Sequence, residues 1–174
     1  SLITARNRVD YKKIYFSFML WGSVSTLMIF FDYWMDPEDF TWNFKPLTFL
    51  ILFLISIVMI PLQTTLEEII FRGYLLQGFG VLFKNRWMPL LTTSTLFGLL
   101  HLWNPEIDKL GIHLIWYYIG TGLFLGLITL MDEGLELALG FHAANNLVTA
   151  LLVTASWTAF QTESLLIDNS EPSL

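Results

Sequence analysis

Uncharged apolar runs leave this chain few ways to fold. Leu47 to Leu62 carries no charged residue, and neither does Gly73 to Phe83. Comparable runs cover Ile14 to Phe31, Pro89 to Trp103, Ile112 to Leu130 and Leu137 to Trp157. A helix of roughly 20 apolar residues crosses the ~30 Å hydrocarbon core of a bilayer. Backbone polar groups in lipid must be satisfied within the protein, which restricts spanning structures to helices and closed barrels. These runs are too long and too continuously apolar for alternating barrel strands. The expected fold class is therefore all-α, a polytopic transmembrane bundle of about five to six helices.

Composition agrees. The chain is 55% hydrophobic and 14% charged, whereas soluble domains carry about 25% charged residues. A net charge of −6 with no basic stripe excludes a nucleic-acid partner and leaves the lipid bilayer as the surrounding medium. Cysteine is absent, so there is no disulfide framework, thiolate nucleophile or thiolate metal site. The 174 residues divide into a basic flank over 1–13, a transmembrane domain over 14–157 and a polar, acidic tail over 158–174 that is expected to be poorly ordered. Arg6, Arg8, Lys12 and Lys13 beside the first run put the N-terminus on the cytoplasmic side. A start at Ser1, without Met, is expected of a segment of a longer protein.

Punctuation is clear in most places. Asp36-Pro37 signals a turn, Pro61 should kink the end of its run, and Pro89 suits a first helical turn. Gly120, Gly122 and Gly126 should allow close helix packing. Residues 63–86 admit two readings. Leu66 to Phe83 could be a full span, or Leu47 to Arg72 could be one kinked helix followed by an interfacial segment. The second keeps Lys84 and Arg86 cytoplasmic and is preferred.

Chemistry concentrates where charge interrupts these runs. Thr65 to Gly73 carries Glu67, Glu68 and Arg72. A carboxylate at bilayer depth costs roughly 2.5–3.5 kcal/mol on insertion scales, so such residues mark function by default. Glu68 and Arg72 are spaced i,i+4 and should pair structurally. Glu67 lies about 100° around the helix and is left free. Downstream, Phe97 precedes His101 by one turn, and His142 and Asn146 share a helix face. A buried imidazole is costly unless it is hydrogen-bonded.

One glutamate, two histidines and an amide could activate water. Two imidazoles and a carboxylate are equally a ligand set for zinc with an open position. The plainer reading of a single intramembrane histidine is packing, and Phe97 reads as core or as a wall of the site. His113, beside Trp116 and Tyr117, reads as interfacial. Asn145 points about 100° from Asn146 and receives no role. Three polar motifs on three separate apolar helices outweigh these plainer readings taken one by one. An ion or proton relay would stagger ionisable groups through several spans, whereas here they cluster.

The ordered set Glu67-Glu68-x-x-x-Arg72, Phe97-x-x-x-His101 and His142-x-x-x-Asn146 resembles the CPBP family, over roughly residues 47–153. That family comprises CAAX-prenyl intramembrane endopeptidases and bacteriocin-processing or immunity (Abi) proteins. The resemblance implies a hydrolase of the prokaryotic inner membrane that cuts a membrane-associated peptide or protein substrate. Glu67 would be the catalytic glutamate, His101, His142 and Asn146 would complete the site, and Glu68, Arg72 and Phe97 would support it. The alternative is a non-proteolytic immunity or scaffold protein of the same family. Family members usually carry more hydrophobic helices before the first motif than the one clear and one shared span found here. A zinc ion, if used, would draw on Glu67, His101 and His142. That would occupy the only uncommitted carboxylate, so water activated by Glu67 without a cofactor is the preferred expectation. No His-Glu-x-x-His helix is present.

Removing one member of a buried ion pair leaves a bare charge, at a cost of about 3–5 kcal/mol. Arg72→Ala should therefore lower the yield of folded protein in detergent, measured by monodisperse elution. Glu67→Gln should elute like the unmodified chain. Equal losses would contradict the division between the two glutamates.

Overall fold

The computed structural model describes residues 2–171. Its helices are α1 (Tyr11–Met35), α2 (Pro46–Glu68), α3 (Leu76–Phe83), α4 (Trp87–Leu99), α5 (Pro105–Leu110), α6 (Leu114–Asp132) and α7 (Glu136–Leu152). Between α2 and α3, residues Ile69–Leu75 form a π-helical stretch, so Pro46–Phe83 is one rod of 38 residues. At 1.5 Å per residue that rod is about 55 Å long, more than the hydrocarbon thickness. Tyr11–Met35, Pro46–Phe83 and Leu114–Asp132 are each long and apolar enough to span.

Polarity is distributed inside out relative to a water-soluble domain. Leu47, Leu54, Val58, Leu62 and Met131 are exposed, while Glu68, Arg72 and Glu136 are buried. Lipid solvates the former and nothing but protein can satisfy the latter. Helix α1 runs parallel to α7. Ser17 Oγ donates to the Leu137 carbonyl at 2.7 Å, and Gly140 faces the α1 backbone so closely that a Cβ would land on the Ile14 carbonyl oxygen and 2.9 Å from the Phe18 nitrogen. Ile60, Leu147 and Ala150 form the α2–α7 core, with Phe18 and Phe160 against it. Helices α4 and α6 meet at Gly122, where a Cβ would sit 3.1 Å from the backbone of Ser94, and at Gly126, which faces Leu90.

The two ends of the bundle carry different charge. At the end where α1 and α7 begin, Arg6 and Lys13 pair with Asp132, and Arg6 reaches Glu136 at 3.3 Å. Leu135 N–H donates to the Ile3 carbonyl at 2.7 Å, which holds the N-terminal segment against the α6–α7 loop. Lys84 and Arg86 line a cavity at this same end, with Glu133. At the other end lie Asp36, Glu38, Asp39, Asp108 and Asp168, with Lys45 paired to Glu163 at 2.8 Å. Hydrogen bonds from Lys45 and Asn43 hold the Glu163 carboxyl below its ordinary pKa. A three-stranded sheet also sits there, in the order β1 (Phe40–Trp42), β3 (Leu166–Asp168), β2 (Val153–Ala155). Strand β3 is antiparallel to β1 and parallel to β2.

Several expectations need correction. Residues 63–83 are not a separate helix. The rod continues through Pro61 and past Arg72 to Phe83. Helix α4 has 13 residues, about 20 Å, and does not cross a full bilayer. Helix α7 stops at Leu152, and residues 153–155 turn into a strand rather than continuing to Trp157. The tail from Thr158 is ordered in large part, since Ser164 and Leu166 are fully buried and 166–168 is the central strand. Residues 172–174 of that tail, and Ser1 of the basic flank, lie outside the described residues. Finally, a Cβ on Gly120 would meet nothing among the described residues, so of the three α6 glycines only Gly122 and Gly126 serve packing.

Gly140→Ala should push α1 from α7 and cost about 1–3 kcal/mol through overpacking. Gly120→Ala should be neutral or gain up to ~1 kcal/mol from helix propensity. Unfolding curves of the two variants in one detergent test the contrast.

Candidate active site

Glu68 is fully buried and accepts two hydrogen bonds on Oε1. Arg72 Nη1 donates at 3.0 Å and His142 Nδ1 at 2.7 Å. The second guanidinium nitrogen of Arg72 donates to the Gly122 carbonyl at 3.2 Å, and its Cζ lies 4.4 Å over the Phe97 ring. The pairing expected from i,i+4 spacing is present. The bond to His142, 74 residues away, adds a function that spacing could not reveal. Because the carboxylate accepts from Nδ1, the imidazole turns Nε2 outward. That atom stands 3.7 Å from Glu67 Oε2.

Glu67 occupies a different environment. Its side chain is 29% exposed, and its Oε1 accepts from Gln63 Nε2 at 2.8 Å. Gln63 sits at i−4 on the same helix face, a spacing readable in the sequence although Gln63 was not singled out. Arg72, five residues on, is engaged by Glu68.

His101 lies in the turn after α4, with its N–H bonded to the Gly98 carbonyl at 3.0 Å. Its Nδ1 is 2.8 Å from the Phe97 carbonyl, and a carbonyl only accepts, so Nδ1 carries the proton and Nε2 remains available. The ring stacks on Tyr118 at 4.2 Å and 19°. The Tyr118 hydroxyl donates to Glu106 Oε1, which also accepts from Asn104 Nδ2 at 3.1 Å. Phe97 is both core and wall. It is 3% exposed, meets Phe71 edge-on at 5.4 Å and lines the cavity.

One cavity of about 650 Å³ gathers Glu67, His101, His142 and Asn146. All four sequence candidates therefore share a site, with Glu68 and Arg72 packed behind it. Asn104, Glu106, Tyr118 and residues 158–160 complete the wall and were not anticipated. Asn145, to which the sequence reading assigned no role, also lines the cavity and hydrogen-bonds to Asn146. Among the described residues, no group of three His, Cys, Asp or Glu side chains is placed to hold an ion. His142 Nδ1 donates to Glu68 and His101 Nδ1 to the Phe97 carbonyl, which leaves Nε2 of each ring open.

Residues 45–148 match the family described as type II CAAX prenyl endopeptidase Rce1-like. The chain belongs to this family. A relative from Bacillus subtilis (strain 168), named uncharacterized protein YyaK, is 30% identical over 155 residues, covering 88% of this chain and 52% of that protein. The chain thus spans about half the length of that curated relative. No solved structure matches. The Rce1-like region contains all three motifs, at the end of α2 and in the π-helical stretch after it, at the end of α4, and on α7. The segment carrying Thr158, Ala159 and Phe160 lies outside it and still lines the cavity.

Proposed function

We propose that this chain is an intramembrane endopeptidase in which Glu67 activates water. The carrying observation is one cavity lined by Glu67, His101, His142 and Asn146, with Glu67 in no Lys or Arg ion pair among the described residues while Glu68 is engaged through Oε1 by Arg72 and His142. Neutral His142 presents a lone pair on Nε2, 3.7 Å from Glu67 Oε2. A water about 2.8 Å from each can donate one hydrogen to each. The Glu67 carboxylate takes the water proton as the oxygen attacks a peptide carbonyl, and later delivers it to the departing amine. Asn146 donates to the oxyanion, and His101, held by Phe97 and Tyr118, positions the other side of the reacting carbonyl. Phe97, Phe71 and Phe141 line the cavity and keep the field around these groups poorly screened.

The substrate class is a membrane-associated peptide or protein. The family name supports a CAAX-type peptide. The chain sits in a prokaryotic cell membrane with Arg6, Arg8, Lys12, Lys13, Lys84 and Arg86 at its cytoplasmic end, as positive charge flanking the helices favours. The part of the cavity walled by Asn104, Glu106 and Thr158 then lies toward the opposite side.

Glu67→Gln should fold normally and lose cleavage of a peptide library by about 10²–10⁴-fold, the range for a general base. Exhaustive chelation should leave the unmodified activity intact. Restoration of chelator-sensitive activity by added zinc would overturn the mechanism. Single cysteines in this cysteine-free chain test the orientation. Lys84→Cys should be shielded from an impermeant thiol reagent in intact cells, and Glu38→Cys should be labelled.

A further inference from the structure

The Trp21 indole on α1 lies beside the Asn145–Asn146 pair on α7. Its Nε1 is 3.1 Å from Asn145 Oδ1. An indole N–H can only donate, so the oxygen of the Asn145 amide must face α1. The Asn145 nitrogen is then turned the other way, and it donates to Asn146 Oδ1 at 3.2 Å. Asn146 Oδ1 is thereby turned toward Asn145, and the Asn146 nitrogen, on the other side of the amide, has no hydrogen-bond partner among the described residues. The direction of the whole chain is set by the one group in it that cannot accept.

We propose that Trp21 and Asn145 are positioning residues that hold the Asn146 amide with its N–H groups toward the reacting carbonyl. The inference rests on Asn146 acting as the oxyanion donor. A primary amide is almost the same shape after a half turn, so packing alone selects its orientation poorly. The wrong orientation would present a carbonyl oxygen to developing negative charge. A donor aimed in advance, by contrast, needs no reorganisation as the charge forms. Trp21 is itself fixed. It stacks on Phe141 at 4.4 Å, and Phe141 packs on Phe124 of α6 at 4.9 Å. Close approach of α1 to α7 at Gly140 brings the indole within reach. Helix α1 lies outside the family-matched region, so this support comes from a part of the chain that the three motifs do not include.

Trp21→Phe keeps the ring stack and removes only the N–H. It should lower kcat about tenfold with little change in KM, less than the 10²–10³-fold loss from deleting an oxyanion donor. On an Asn146→Ala background the same substitution should produce no further loss. A second measurement needs no substrate. In ¹⁵N spectra of detergent-solubilised protein, the Asn146 side-chain amide signals, identified by their loss in Asn146→Ala, should move in Trp21→Phe. The Trp21 indole signal should likewise move toward its non-bonded position in Asn145→Ala. Unmoved amide signals, or an equal loss of kcat in both backgrounds, would overturn the proposal. If the unmodified protein cleaves no peptide the peptidase reading fails, and the spectra still decide whether Trp21 orients Asn146.

Discussion

A carboxylate with no water around it must be neutralised by protein, and in this chain that requirement falls on Glu68. Arg72 supplies the charge, and the remaining valences of the cluster reach outward. The guanidinium holds the Gly122 carbonyl of α6 and lies over Phe97 of α4, while the carboxylate holds His142 of α7. Four helices therefore meet on one ion pair. Breaking it would expose a bare charge in a medium that cannot solvate it. Gly122 allows α6 close enough for the carbonyl to be reached, since a Cβ there would crowd the Ser94 backbone.

The same interaction separates two adjacent glutamates into unlike environments. Glu68 is enclosed and engaged through Oε1 by Arg72 and His142, whereas Glu67, about 100° around the helix, faces the cavity beside Gln63 and His142. His142 links the two, with one ring nitrogen on the structural carboxylate and the other toward the free one. The π-helical stretch begins at the next residue and carries Arg72, in keeping with the tendency of such turns to occur at functional sites.

Beyond the motif helices, the ends of the chain complete the bundle. The N-terminal segment is held to the α6–α7 loop by Arg6, Lys13 and backbone bonds, so part of the basic flank neutralises Asp132 and Glu136. At the opposite end, strand β3 ties the C-terminal segment between β1 and β2 and brings Thr158, Ala159 and Phe160 to the cavity wall. Helix α1 supplies the indole beside Asn145.

Much of this was legible because it is local. Charge-free runs of helical length dictate spanning helices wherever water is absent, and an i,i+4 Glu-Arg spacing dictates a pair on one helix face. Likewise, angular separation on a helix distinguished Glu67 from Glu68. It misled at Asn145, where side-chain reach along the cavity wall mattered more than the angle. The bond from Glu68 to His142, the stacking of Tyr118 on His101 and the hydrogen bond from Trp21 to Asn145 join residues far apart in the chain. Hydropathy carries no information about such pairings. They depend on how closely the helix backbones approach, and that is decided where Gly122 and Gly140 meet their neighbours. The ends of α4 and α7 were misjudged for a related reason. Leu100, Leu102 and Trp103, like Val153, Ala155 and Trp157, extend the apolar runs, but the backbone bonds of these stretches go to turns and to β3 instead of to a longer helix.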